Sequence, residues 1–183
     1  MKKSIYIAAI LLVIPVVMHA QGWPEKVTIV ELDGKDSVIV PGDLAKGEII
    51  EDLTWAWSSS NACFPATQSL KFRGNHVFFA TTMQPQSIMK ISVTPTDPAA
   101  DLSIYAYRLG KSEHYLVPDL PSCITCEADH KWDRPWKNRV QTHERKLEFQ
   151  NPSRDNTYNI LIGISAPKGI TAGDFNLKIK VER

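Results

Sequence analysis

Apolar and polar residues alternate one for one along much of this chain. In Met89-Lys90-Ile91-Ser92-Val93-Thr94 the alternation is strict, and in Asp101-Leu102-Ser103-Ile104-Tyr105-Ala106-Tyr107 the side chains of Leu102, Ile104 and Ala106 fall on one face. In Tyr158-Asn159-Ile160-Leu161-Ile162-Gly163-Ile164 every even position is a large apolar residue. Near the end, Phe175, Leu177, Ile179 and Val181 point one way, and Asn176, Lys178, Lys180 and Glu182 the other. Side chains on a strand alternate faces, so each segment predicts a strand with one face on a core and one in water. Weaker strand signals lie at residues 26–32, 37–40, 48–57, 76–82 and 145–149.

Turn-forming pairs punctuate these segments: Asp33-Gly34, Pro41-Gly42, Gly74-Asn75, the run from Pro95 to Pro98, Asn151-Pro152 and Ala172-Gly173-Asp174. No stretch of helical length shows helical period. Many short strands with regular turns predict an all-β chain, an antiparallel β-sandwich or barrel. Two stretches break the rhythm. One is Ser58-Ser59-Ser60-Asn61-Ala62-Cys63-Phe64-Pro65-Ala66. The other runs from about Lys111 to His143 and holds three prolines, two cysteines and two tryptophans. A connection this long in a compact domain is usually functional or disordered, and its aromatic content argues against disorder.

The first residues change the compartment. Lys2 and Lys3 precede an apolar run, Ile5 to Val17, and Met18-His19-Ala20 ends in a small residue. This pattern predicts a secretory signal peptide over 1–20, leaving 21–183 as one domain. The run is short for a membrane span and Pro15 interrupts it; no later segment is long enough to span. The expected compartment is the bacterial periplasm or beyond. The 21 Lys and Arg stand against 20 Asp and Glu, two of the lysines inside the leader, so the balance argues against nucleic acid as a partner. The chain has three cysteines, Cys63, Cys123 and Cys126. In an oxidising compartment one bridge is expected, with one thiol left over.

The segments GNHVFFATTMQPQSIMKISVTP, ADLSIYAY and NTYNILIGISAPKGITAGDFNLKIKV, taken in that order, resemble the bacterial pre-peptidase C-terminal (PPC) domain over about residues 74–183. The resemblance divides the chain into N-terminal strands and linker over 21–73 and a PPC-like core after them. It implies a jelly-roll-like sandwich of the kind appended to secreted peptidases, without catalytic residues to carry over. Some members of that family bind calcium or extracellular polymers, but no ligand motif of theirs matches here. The long cysteine- and tryptophan-containing insertion departs from the family pattern, and no enzyme precedes the domain on this chain.

The chemistry candidates cluster in that insertion. Cys123-Ile124-Thr125-Cys126 could be a redox dithiol, half of a zinc site or one end of a structural bridge. Its proline-rich context lacks the strand-to-helix setting of redox pairs, and no second C-x-x-C or spaced histidine pair completes a metal site. A bridge from Cys63 to Cys123 or Cys126 would close a loop of about 60 residues, stabilising by roughly 4 kcal/mol in the chain-entropy account. A Cys123–Cys126 bond would order only a local turn. Asp129, His130, Trp132, Arg134 and Trp136 form a polar, tryptophan-bearing stretch that could grip a ligand or plug one end of the sandwich. Trp55 and Trp57 read as core on one strand face. Tyr105 and Tyr107 read as a cross-strand aromatic pair or a shallow aromatic surface. No hydrolase elbow, zinc-protease helix, phosphate loop or dinucleotide turn is present. The expectation is a non-catalytic binding module for a protein or extracellular polymer, with no cofactor. The alternatives are a redox or metal-handling protein using Cys123 and Cys126, and a structural subunit of a surface or secretion complex.

Overall fold

The computed structural model describes residues 22–56, 66–120, 125–127, 137 and 143–183. Among them the chain folds as two face-packed sheets. The first holds β1 (Val27–Ile29), β3 (Glu48–Ile49), β4 (Asn75–Met83), β6 (Ser103–Gly110), β7 (Thr125–Glu127) and β9 (Tyr158–Ser165), in the order β1-β4-β9-β6-β7 with β3 also on β4. The second runs β2-β10-β5-β8, with β2 spanning Ser37–Asp43, β5 Ser87–Pro95, β8 Arg145–Asn151 and β10 Asp174–Glu182. No helix among the described residues is long and apolar enough to cross a membrane.

The alternating segments do what their period predicts in the second sheet. Phe175, Leu177 and Ile179 of β10 face inward beside Met89, Ile91 and Val93 of β5, and Leu147 and Phe149 of β8. Their inter-sheet partners are Phe79, Ile104, Ile160, Ile162 and Ile164. The opposite face is solvated: the Lys90 and Lys180 ammonium groups donate to Glu182 at 2.7 and 2.9 Å. The hydrogen bond from Lys90, then that from Lys180, hold the Glu182 carboxyl down to about 2.

The first sheet departs from the one-face-wet expectation. β6 and β9 are buried on both faces. A second core of Trp55, Phe72, Phe78, Tyr105, Tyr107 and Leu161 lies on the side away from the second sheet. It is covered by segments that are not strands, including the 3-10 helix Ala66–Phe72 and residues 111–120.

Four local readings are corrected. β1 runs parallel to β4, so the sandwich is mixed rather than wholly antiparallel. The reason is that β1 does not hairpin back. Asp33 (φ 48°) and Gly34 (φ 77°) turn the chain, with Lys35 N–H donating to Leu32 O at 2.8 Å, and β2 then joins the other sheet. Pro41 and Gly42 lie inside β2 instead of ending it. β2 is an edge strand, where a proline costs no ladder bond. A Cβ on Gly42 would sit 2.3 Å from the Phe175 ring, so glycine lets that ring lie across the strand. The strand expected over 48–57 stops at Ile49, and Trp55 sits in a 3-10 turn, Thr54–Ala56. Asp52 accepts from Thr54 N–H at 2.8 Å and so sets up that turn instead of extended chain. Trp55 is core as expected, 2% exposed, whereas Trp57 lies outside the described residues. Finally, Tyr105 and Tyr107 are fully buried and make edge-to-face contact at 6.0 Å, so they form no surface.

Candidate functional site

The long connection leaves β6 at Gly110 and returns at β8, and the described residues hold it at four places. At its start, the Asn159 side-chain amide, projecting from β9, donates to Lys111 O and Glu113 O, each at 3.0 Å. Glu113 in turn accepts from Gly110 N–H at 2.6 Å. Next, Val117 and Leu120 sink into the second core. In the middle, β7 adds to the edge of the first sheet, pairing Thr125, Cys126 and Glu127 with Ala106, Tyr105 and Ile104.

At its end, Arg145 is wholly buried. Its Nε–H donates to Leu102 O at 2.6 Å and its Nη2 to Asp101 Oδ1 at 2.9 Å. Asp101 also receives Lys71 Nζ at 2.6 Å, and His143 Nδ1 lies 3.4 Å from the same carboxyl. A buried guanidinium is tolerable only when paired and hydrogen-bonded, and here one carboxylate and one carbonyl do both. The network ties the returning chain to the start of β6 and to the 3-10 helix that covers the sheet.

Beneath that cover lies a second polar element. His76, on β4, is 1% exposed and uses both ring nitrogens: Nε2 lies 2.7 Å from Phe72 O and Nδ1 2.8 Å from Tyr105 Oη. A carbonyl can only accept, so Nε2 carries the proton and Nδ1 accepts from the tyrosine hydroxyl. Desolvation pushes the ring down to about 4, against the smaller raising effect of the Phe72 carbonyl, and the imidazole is neutral at pH 7. The arrangement positions Tyr105 and the covering helix. Trp55 closes over it with its ring 5.1 Å from that of Tyr105.

Of the site residues read from the sequence, Cys63, Cys123, Asp129, His130, Trp132, Arg134 and Trp136 lie outside the described residues. The backbone of Cys126 is on β7, opposite Tyr105. Sequence reasoning missed Arg145, Asp101, Asn159 and His76. A signal was there for all four: each is a polar residue within a strand pattern, and Arg145 is in phase with Leu147 and Phe149. Among the described residues, no group of three or more His, Cys, Asp or Glu side chains is placed to hold a metal ion.

Among the clefts on the described surface, two are the most enclosed. One, of ≈ 440 Å³, lies where the chain crosses from β1 to β2 and is bounded by Leu32, Thr81, Thr82 and Val181. The other, of ≈ 650 Å³, lies between residues 49–54 on one side and Arg73 with Lys168, Gly169 and Thr171 on the other.

No protein-family model matches the chain, and no curated protein matches it. Among solved structures it is similar to the Aeromonas hydrophila protein PliG, a periplasmic inhibitor of g-type lysozyme. The identity there is 8% over 86% of this chain and 98% of that one, with a TM-score of 0.44. It is similar to the pre-peptidase C-terminal domain of a Bacillus anthracis collagenase (10% identity, 88% and 100% covered, TM-score 0.38). It is also similar to the surface-associated copper-binding protein CorA of Methylomicrobium album BG8 (12% identity, 85% and 98% covered, TM-score 0.43). None of these likenesses carries an activity or a ligand to this chain.

Proposed function

We propose that the chain is an exported, non-catalytic binding module that contacts a protein or an extracellular polymer through the connection between β6 and β8. Trp132 and Trp136 are its main contacts, with Asp129, His130 and Arg134 beside them. The observation that carries this reading is the four-point anchoring by Asn159, by Val117 and Leu120, by β7, and by the Arg145–Asp101 pair. A segment fixed at its roots and its middle loses less freedom on association than a free loop does. A bridge from Cys63 to Cys123 or Cys126 would add a further staple. The redox alternative is less well supported. Cys126 falls on an edge strand, not at the helix N-terminus that lowers a thiol pKa and makes it reactive.

The test is non-reducing peptide mapping of protein purified from the periplasm, with thiol labelling and metal analysis on the same sample. The proposal expects a bridge from Cys63 that mild reductant leaves intact, and no bound metal. A Cys123–Cys126 bond opened by mild reductant, or stoichiometric metal with protected thiols, would replace binding with redox or metal chemistry.

A further inference from the structure

The larger cleft carries two cations, Arg73 and Lys168, that form no ion pair among the described residues. Arg73 lines it, and the Arg73 Nε–H is buried without a hydrogen-bond partner. With Nε buried and unmet, the guanidinium is under-satisfied, and an acceptor meeting its remaining N–H groups from the cleft offsets part of that cost. Lys168, on the same side, is exposed and forms no ion pair among the described residues. Of the two acidic residues on the opposite side, Asp52 is already committed to the Thr54 turn and Glu51 is exposed.

The wall facing Arg73 is aliphatic. It is built from Ile49, Ile50 and Leu53, and Ile49 is 47% exposed. At Ile49 the wall meets the outer edge of the short strand β3, which among the described residues pairs only with β4; residues 50–53 continue as irregular chain. The frame behind it is stiff. The Asn75 side-chain amide donates to Leu44 O, Gly47 O and Thr171 O, at 3.0, 3.2 and 3.0 Å. One amide therefore ties β4 to residues 44–47, which lead into β3, and to Thr171 on the opposite side of the cleft. Gly47 and Gly74 allow the close approach: a Cβ on either would fall 2.2 Å from His76 O or 2.3 Å from Ile170 O.

We infer that this cleft binds an extended peptide segment of a partner protein in which an aliphatic residue stands next to a carboxylate. The aliphatic side chain lies on Ile49, Ile50 and Leu53. The carboxylate accepts from Arg73 with Lys168 beside it, a charge-assisted bond that a neutral amide cannot match. An elongated aliphatic wall that begins at the open edge of β3 favours an extended peptide over a compact ligand. The inference rests on described residues alone and stands without the function proposed for Trp132 and Trp136.

The test uses the full mature chain and two fluorescein-labelled peptides, one alternating leucine with glutamate, the other leucine with glutamine. Anisotropy should show the glutamate peptide binding about tenfold or more tightly, and the preference should vanish in Arg73→Gln. Lys168→Gln, a surface change that leaves the fold alone, should narrow the same preference. Ile49→Ser should weaken both peptides by a similar factor. Equal affinity for the two peptides, binding of neither, or a preference untouched by both Arg73→Gln and Lys168→Gln would overturn the inference.

Discussion

At Gly163 there is no room for even a methyl group: a Cβ would meet the Tyr105 ring at 2.1 Å. The two residues are cross-strand partners, so the ring lies over bare backbone and from there reaches His76. Gly163→Ala must push an aromatic ring inside a packed layer, and overpacking of this kind costs about 1–3 kcal/mol. Thermal denaturation should show the loss. Tyr105→Phe keeps the ring but leaves Nδ1 of His76 buried without a donor, an expected cost of about 1–3 kcal/mol by urea denaturation.

His76 also sets a pH dependence. Its folded value is about 4 against 6.5 for the free side chain. Between these values the unfolded chain holds a proton that the folded chain does not, so stability falls as pH drops from about 6.5 to about 4, by up to roughly 3 kcal/mol. Urea midpoints across that range should move accordingly, and His76→Gln should flatten the slope. At this scale the sequence was informative only in part. Tyr105 was legible as half of an aromatic pair, but its partners His76 and Gly163 sit 29 and 58 positions away in sequence and only the fold joins them.

At the scale of elements, regular alternation was readable and interruptions were not. β5 and β10 lie where Met89–Thr94 and Phe175–Val181 alternate, extended by a residue or two at the ends. The segment over 48–57 misled because its side chains suit a strand, while Asp52 takes the Thr54 N–H and turns the chain. Pro41-Gly42 misled because an edge strand can carry both residues.

β8 shows what one polar residue in an apolar phase can mean. Arg145 starts the strand, faces the interior with Leu147 and Phe149, and fastens the end of the long connection to Asp101 and Leu102. Arg145→Ala should destabilise by roughly 3–5 kcal/mol, since it strands part of a buried ion-pair network. Limited trypsin digestion should also cut faster within 111–142, because the returning chain loses its tie. Unchanged stability with unchanged cleavage would mean that the network anchors nothing.

For the molecule as a whole, the layering decides where function can reside. The second sheet is wet on its outer face and the central strands β6 and β9 of the first are dry on both, with an irregular third layer over Trp55, Phe72, Tyr105 and Tyr107. That layer had no periodic signature, so it could not be read from the sequence, whereas the all-β sandwich could. The residues proposed to make contact belong to the connection whose described parts form much of this layer, on a scaffold that fixes its ends.

The most direct measurement is affinity capture from periplasmic and envelope extracts, comparing the wild-type chain with Trp132→Ala/Trp136→Ala at matched melting temperature. Loss of one defined partner in the variant, with the fold intact, is the result this account predicts. Capture of the same partner at the same yield by both proteins would contradict it.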